Sequence, residues 1–218
     1  MEYLNIALAK GRLAQKGYKL FKEMGFECEE IEKNTRKLIF VNEEKLIRYI
    51  LVKASDVPAY VERGAADLGV VGKDTIMEEE KEFYELCDLG FGKCKFVIAG
   101  PPGYEMNTSY ETLRVATKYP NVAKKYFLKK GKQIDLIKLN GSVELAPLVG
   151  LADVIVDIVE TGRTLKENGL KVIEDMYHIS ARLIANKVSF KMKNNRIKEI
   201  MKKVRLIQEV NKRNDKDN

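Results

Sequence analysis

The sequence has 218 residues, 45% of them hydrophobic and 33% charged, and 39 Lys and Arg against 32 Asp and Glu give a net charge of +7. This composition excludes a disordered chain, and the length predicts one to two globular domains with sizeable cores. No apolar run approaches the ~20 residues of a membrane-spanning helix, and the first one, ending at Lys10, is too short for a signal-peptide core. We therefore expect a cytoplasmic protein.

The excess positive charge lies at the carboxyl-terminal end. Lys187 to Asn218 carries 11 basic and 4 acidic residues, whereas the remainder has 28 of each sign. Nucleic-acid binding stays open as an alternative function, although Phe190 is the single aromatic residue among these charges in the tail. The odd cysteine count without C-x-x-C spacing, and the single histidine, His178, favour neither a disulfide framework nor a zinc site.

The amino-terminal half predicts alternating strands and helices. Ser55 is expected to cap a short helix that has Pro58 in its first turn and Gly64 after its end. Gly72-Lys73-Asp74 opens a further helix. The other elements predicted here are strands Leu4–Ala9, Leu38–Val41, Leu46–Val52, Asp67–Val71, Tyr84–Leu89 and Lys95–Ala99, and a helix Leu13–Met24.

A break at Gly100-Pro101-Pro102-Gly103, with polar residues as far as Glu111, separates this half from a second series. The apolar run Val154–Val159 is typical of a strand buried on both faces of a parallel sheet. The predicted elements are strands Arg114–Lys118, Ile134–Leu139, Val154–Val159, Leu170–Met176 and Ala181–Ala185, and helices Asn121–Lys130, Ser142–Val149 and Lys191–Val210. The pattern favours an α/β protein with two lobes, residues 1–92 with 178–218 and residues 93–177, and a crevice between them.

One candidate site follows the strand Val154–Val159. Asp157 and Glu160 lie near its end, and the turn Thr161-Gly162-Arg163-Thr164 comes next. Thr164 and Glu167 have the spacing of a capping box, which predicts a helix start there. Backbone N–H groups, the helix dipole and threonine hydroxyls suit a phosphate, and an upstream carboxylate suits ribose hydroxyls or Mg²⁺. An ordinary capped turn remains the alternative interpretation.

Cations at the ends of first-lobe strands form a second candidate site. Lys10-Gly11-Arg12 follows one strand, Arg36-Lys37 precedes another, and Lys53 ends a third. Arginine is suited to phosphates because its planar fork donates two hydrogen bonds. Each cation alone fits a solvated surface charge, whereas together they predict a crevice for a polyanion.

Long stretches of the chain resemble one enzyme family. The stretches are LAKGRL (8–13), TRKLIF (35–40), ASDVPAYVERGAADLGVVGKD (54–74), RVATKYPNVAKKYF (114–127) and LNGSVELAPLVGLADVIVDIVETGRTLKENGL (139–170). They resemble ATP phosphoribosyltransferase, the first enzyme of histidine biosynthesis. The resemblance implies a two-lobed α/β fold similar to type II periplasmic binding proteins, with the active-site crevice between the lobes.

The resemblance also implies partners. The chain looks like the short form of the family, which lacks a regulatory domain and acts with a separate regulatory subunit similar to histidyl-tRNA synthetase. Homodimers of catalytic subunits within a hetero-oligomer are expected, with ATP and 5-phosphoribosyl 1-pyrophosphate as substrates.

Residue roles follow from the same resemblance. Lys10, Arg12 and Arg36 are expected to be catalytic and, with Gly11 and Lys53, to bind ATP. Thr161, Gly162, Arg163 and Thr164 are expected to bind the 5-phosphate of phosphoribosyl pyrophosphate, with Asp157 on the ribose and Glu144 supporting it. Mg²⁺ is expected on the substrate phosphates, with Glu144 or Asp157 as a possible ligand. Lys53 stands where the family motif leads us to expect Arg.

Two further functions stay open. A solute-binding or sensing protein of the same fold would bind ligand without turnover. A phosphoribosyltransferase with another acceptor would share the turn at Thr161–Thr164, but the first-lobe motifs argue against it.

Overall fold

The computed structural model describes residues 2–33, 36–105 and 112–214, with side chains as far as residue 211. Thr35, which begins one quoted motif, and the last part of the polar linker up to Glu111 lie outside these residues. Contacts divide the chain into two compact units, Met1–Gly92 with Ser180–Asn218 and Lys93–Ile179. Among the described helices, none combines the length and the apolar character needed to cross a membrane.

Strands and helices alternate along most of the chain. The strands are β1 (Leu4–Ala9), β2 (Ile39–Asn42), β3 (Ile47–Val52), β4 (Leu68–Gly72), β5 (Tyr84–Asp88), β6 (Cys94–Gly100), β7 (Leu113–Thr117), β8 (Ile134–Lys138), β9 (Val154–Val159), β10 (Lys171–Ile179) and β11 (Ala181–Ala185). The α-helices are α1 (Arg12–Glu23), α2 (Val57–Glu62), α3 (Lys73–Glu79), α4 (Pro120–Lys129), α5 (Leu145–Leu148), α6 (Arg163–Glu167), α7 (Lys187–Met192) and α8 (Asn194–Asn214).

The first unit is built on a six-stranded sheet in the order β2-β3-β1-β4-β11-β5. The central strand β1 is parallel to both neighbours, β3 and β4. Because successive side chains of a strand point to opposite faces, Leu4, Ile6 and Leu8 enter one core, and Ala7 and Ala9 enter the other. Helices α1 and α8 cover the first core and α2 covers the second. The sheet is therefore buried on both faces.

The second unit has a five-stranded sheet in the order β10-β6-β9-β7-β8. Strand β9 has the bounds that the sequence predicts, but the expectation of a parallel sheet is wrong in part. It pairs in parallel with β7 and antiparallel with β6. An apolar run records burial of both faces and not the direction of the neighbouring strands. The predicted two-lobed α/β class is confirmed, with mixed sheets in both units.

Three local predictions are wrong. Ser55 does not cap α2, because it lies in a 3-10 turn and its hydroxyl donates to the Asp56 carboxylate at 3.0 Å. The helix predicted at 142–149 has only the four residues of α5. The single terminal helix is divided into α7 and α8, and α7 begins after Asn186, whose side-chain oxygen accepts hydrogen bonds from the next amides along the chain.

Candidate functional site

The ends of three strands bring the predicted cations of the first unit to one edge of its sheet. Because β1 and β3 are parallel and in register from Leu4 to Ala9, Lys10 and Lys53 follow neighbouring strand ends. The Lys10 amide donates to the Val52 carbonyl at 2.8 Å. Strand β2 runs antiparallel to β3, so the residues before it, from Arg36 to Leu38, reach the same edge. The prediction that rested on strand ends thus corresponds to one surface, the basic edge.

Three cations of the basic edge are available to a ligand. Lys10, Arg36 and Lys53 are exposed, and none has an ion-pair partner among the residues that the structure describes. Gly11 precedes α1 with φ 96°, and no atom lies within 4 Å of the position of an added Cβ. This backbone conformation favours glycine and leaves open space beside Lys10. Arg12, also exposed, is the first residue of α1.

A groove of about 990 Å³ opens at Lys10 and Gly11 and follows the outer side of α1. We call it the α1 groove. Arg36 lines it, whereas Arg12 and Lys53 do not. The sequence did not predict the groove residues of α1, although Gln15 and Lys19 have the i, i+4 spacing that places two side chains on one helix face.

In the second unit, the predicted residues also collect at strand ends. Strand β7 is parallel to both of its neighbours, β8 and β9, so the carboxyl ends of all three strands meet at one edge of the sheet. The segment from Asn140 to Glu144 follows β8, and the turn Thr161–Thr164 follows β9. Glu144 is half-buried immediately before α5. This edge, which we call the hydroxyl edge, carries carboxylate and hydroxyl groups.

The turn after β9 differs from the predicted capping box. Helix α6 begins at Arg163, so Thr164 is already inside it and caps nothing. Glu167 instead accepts a hydrogen bond from Arg163 Nε at 2.7 Å. Gly162 has φ 76° before the helix, and the Arg163 amide donates to the Thr161 hydroxyl at 3.4 Å, whereas no side chain of the described residues caps the other first-turn amides. With only five residues in α6, the expected dipole is small, and the available donors are these amides and the exposed hydroxyls of Thr161 and Thr164.

Asp157 lies inside β9, paired in register with Val97, and is half-buried. Asp157 and Glu160 both have polar or electrostatic contacts of their own. In the described part of the chain, no three His, Cys, Asp or Glu side chains are grouped so as to hold a metal ion. Mg²⁺ typically takes one or two carboxylates together with phosphate oxygens, and the Glu144 and Asp157 carboxylates fit that mode of binding.

One charged cluster at the basic edge was not predicted. Strand β11 starts beside the end of β4, where Ala181 pairs with Gly72. Arg182 contacts the Asp88 carboxylate at 3.1 Å and Glu85 at 3.4 Å. Glu85 also accepts from Lys73. Lys73, directly after β4, was the one signal for this cluster in the sequence. Glu85, Asp88 and Arg182 come from other segments of the chain.

The histidine and one cysteine lie at the level of the hydroxyl edge, because Cys94 begins β6 and the adjacent Lys95 pairs with Val159 at the end of β9. His178 is exposed on β10 and pairs in register with Lys95. Cys28 is buried. Burial raises the pKa of the Cys87 thiol to about 11, which keeps it protonated and unreactive near neutral pH.

Comparisons with known proteins give a consistent result. A family model described as ATP phosphoribosyltransferase matches residues 53–206. A relative named ATP phosphoribosyltransferase from Clostridioides difficile (strain 630) is 59% identical over 210 residues, 96% of this chain and 99% of the relative. A relative of the same name from Clostridium novyi (strain NT) is 56% identical over 206 residues, 94% of this chain and 97% of the relative.

Two solved structures are similar. The ATP phosphoribosyl transferase (HisG:HisZ) complex from Thermotoga maritima includes a chain with a TM-score of 0.81 and 34% identity, covering 94% of this chain and 98% of that one. The periplasmic aliphatic sulphonate binding protein SsuA from Escherichia coli gives a TM-score of 0.59 at 14% identity, covering 98% of this chain and 76% of that one. The second likeness concerns the fold alone.

Proposed function

The chain belongs to the ATP phosphoribosyltransferase family, the pentosyltransferases of the first step of histidine biosynthesis, and we propose how its residues perform that reaction. The substrates are ATP and 5-phosphoribosyl 1-pyrophosphate, and the products are 1-(5-phosphoribosyl)-ATP and pyrophosphate. The 59% identity to one relative over 96% of the chain carries this proposal. The two strand-end edges supply the groups that the reaction needs.

The hydroxyl edge binds phosphoribosyl pyrophosphate. The amides of the turn Thr161–Thr164 and its two threonine hydroxyls donate to the 5-phosphate, and Gly162 lets the backbone approach it closely. Asp157 accepts from the ribose hydroxyls, and Glu144 supports the ribose. The Arg163 side chain is paired with Glu167, so we assign its backbone N–H, which donates to the Thr161 hydroxyl at 3.4 Å in this structure, to phosphate binding.

The basic edge binds polyphosphate. Lys10, Arg12 and Arg36 contact the pyrophosphate group and the triphosphate of ATP, and Gly11 and Lys53 complete the ATP site. Arg36 donates bidentately to phosphate oxygens, as its planar guanidinium allows. Lys53 acts as a point charge.

The chemistry requires positioning more than proton transfer. N1 of adenine carries a lone pair, attacks C1 of the ribose with inversion, and the electron pair of the C1–O bond leaves with pyrophosphate. Positive charge grows on the ribose and negative charge on the leaving group. Lys10, Arg12 and Arg36 stabilise that negative charge. When bound to the substrate phosphates, Mg²⁺ would neutralise further charge, with Glu144 or Asp157 as its protein ligand.

A regulatory subunit belongs to this proposal. The similar chain from Thermotoga maritima comes from a HisG:HisZ complex. We extend that arrangement to this chain as a cytoplasmic hetero-oligomer, in which homodimers of the catalytic chain bind a subunit resembling histidyl-tRNA synthetase.

The test is a product assay. The protein is mixed with ATP, phosphoribosyl pyrophosphate and Mg²⁺, with and without the regulatory subunit, and phosphoribosyl-ATP is sought by mass spectrometry. We expect product that requires both substrates. Ligand binding without product in either condition would instead identify a binding or sensing protein.

A further inference from the structure

The α1 groove extends well beyond the residues assigned above. It follows α1 from Ala14 to Glu23 on one side, and on the other it is lined by Ile31, Glu32 and Arg36–Leu38. With a rise of about 1.5 Å per residue, Lys19 lies roughly 12 Å along the helix from Gly11. This length and the volume of about 990 Å³ accommodate an entire nucleotide.

The mouth of the groove is apolar. Leu38 is 48% exposed although it lines a concave surface, and the half-buried Leu51 adjoins it. The Leu51 amide donates to the Leu38 carbonyl at 2.8 Å, which fixes the two residues side by side at the strand end. An exposed leucine in a groove offers a flat apolar ligand surface that the core does not use.

Some of the cations that line the groove are paired with carboxylates, and others are not. Lys22 pairs with Glu32 at 2.7 Å, and Lys37 pairs with Glu30 at 2.9 Å. Lys10, Lys19 and Arg36 have no ion-pair partner in the described ranges. The groove therefore combines an apolar patch beside the strand ends with positive charges on both walls, which outnumber the one unpaired lining carboxylate of the described residues, Glu23, and suit a base joined to a polyphosphate.

We propose that the α1 groove binds the acceptor nucleotide, with adenine on Leu38 and Leu51 and the triphosphate extending along α1 to Lys19. The base then stays beside the strand ends of the first unit. Lys19 contacts the terminal phosphate, so it determines selectivity for ATP over AMP. This assignment rests on the proposed function, because it takes ATP as the acceptor.

The experiment measures the Kd of ATP and of AMP by titration calorimetry for the full chain and three variants. Lys19→Ala is expected to raise the Kd of ATP about tenfold or more, since it removes a charge-assisted contact to the terminal phosphate. The Kd of AMP is expected to change less than about twofold. Leu38→Ala is expected to weaken the binding of both nucleotides. The matched control is Lys16→Ala, an exposed residue of the same helix outside the groove, which should change neither Kd.

An unchanged Kd for ATP in Lys19→Ala, or an equal loss for ATP and AMP, would overturn the assignment. Loss of self-association or of regulatory-subunit binding in sedimentation, with ATP affinity intact, would overturn it as well and identify the groove as a protein interface. Turnover of the unaltered chain separates the two proposals. If it forms phosphoribosyl-ATP while Lys19→Ala binds ATP normally, only the groove assignment fails. If it forms none while Lys19→Ala shows the expected loss, only the reaction fails.

Discussion

The two ends of the first-unit sheet carry similar positive charges, but among the described residues the carboxyl end holds unpaired cations beside paired ones such as Arg182. At the amino end, Lys193 Nζ donates to both carboxylate oxygens of Asp67 at 2.9 and 3.0 Å and to the Tyr3 carbonyl at 2.7 Å. At the carboxyl end, Lys10 and Arg36 have no such partners in the described residues. A cation whose donors are satisfied holds the fold together, and one whose donors are free is available to a ligand.

The second unit repeats this difference. At the start of β7, Arg114 Nη2 donates to the Asp153 carboxylate at 2.6 Å, and Nη1 donates to the Gly150 carbonyl at 2.9 Å. At the other end of the sheet, the hydroxyls of Thr161 and Thr164 are exposed. Residue type alone therefore does not separate structure from binding. The four predictions below test the distinction, from the largest expected effect to the smallest.

Replacing a free cation should reduce turnover without reducing stability. Arg36→Ala is expected to lower kcat/KM roughly 10²–10³-fold, about 3–4 kcal/mol, because it removes a donor to the developing negative charge. Steady-state kinetics and a thermal melt measure the two effects. Arg63→Ala, another exposed arginine, is the control. Full activity of Arg36→Ala would remove this residue from the site.

Replacing a satisfied cation should have the reverse effect. The Lys193 and Asp67 side chains are only 17% and 5% exposed. Lys193→Met is expected to cost about 3 kcal/mol of unfolding free energy, because a buried carboxylate loses its partner. Urea denaturation measures this cost, and Lys198→Met, an exposed lysine of α8, should cost less than about 0.5 kcal/mol. Equal costs for the two variants would contradict the distinction.

The amino end of the second unit predicts a pH effect. The hydrogen bond from Arg114 lowers the pKa of the Asp153 carboxyl below its ordinary value. The pair therefore stabilises the fold above the unfolded-state pKa of about 3.9, and this contribution is lost as the pH falls through the lower folded pKa. Since Arg114 is partly exposed, we expect about 1 kcal/mol or less. Chemical denaturation from pH 6 to pH 3 should show a smaller acid-induced loss in Arg114→Leu, whereas an unchanged loss would exclude this pair as its source.

The smallest effect concerns Lys53, which stands where the family motif led us to expect Arg. Lys53→Arg is expected to raise the affinity for ATP only about threefold, because the charge is already present and the change adds the bidentate fork. Calorimetric titration of ATP measures it. A loss of affinity would indicate that the site is shaped for the ammonium group.

The apolar runs of the sequence predicted strands well where both faces of the strand are buried. The bounds of β1, β9 and β11 agree with the apolar runs of the sequence, because these strands are covered on both faces. The capping box at Thr164 failed because Gly162 lets the helix begin two residues earlier. Strand direction in the second sheet failed because it depends on which distant segment pairs with β9.

The candidate site was predictable in part for the same reason. Lys10, Arg36 and Lys53 are recognisable as strand-end cations from local sequence alone. Lys19 looks like an ordinary exposed helix residue in the sequence. Only the long-range pairing of β3 with β1, which carries β2 along with β3, places Arg36–Leu38 across from α1 and so makes a groove.

The most direct test of the central claim is a cross-comparison of substrate binding by titration calorimetry. Lys53→Ala changes the basic edge and Thr164→Ala changes the hydroxyl edge, and each variant is titrated with ATP and with phosphoribosyl pyrophosphate. We predict that Lys53→Ala weakens the binding of ATP about tenfold and leaves the binding of phosphoribosyl pyrophosphate nearly unchanged. Thr164→Ala is expected to weaken the binding of phosphoribosyl pyrophosphate about tenfold and to leave the binding of ATP nearly unchanged. Equal losses for both substrates in both variants, or no loss in either, would contradict the assignment of Lys53 to ATP and of Thr164 to phosphoribosyl pyrophosphate.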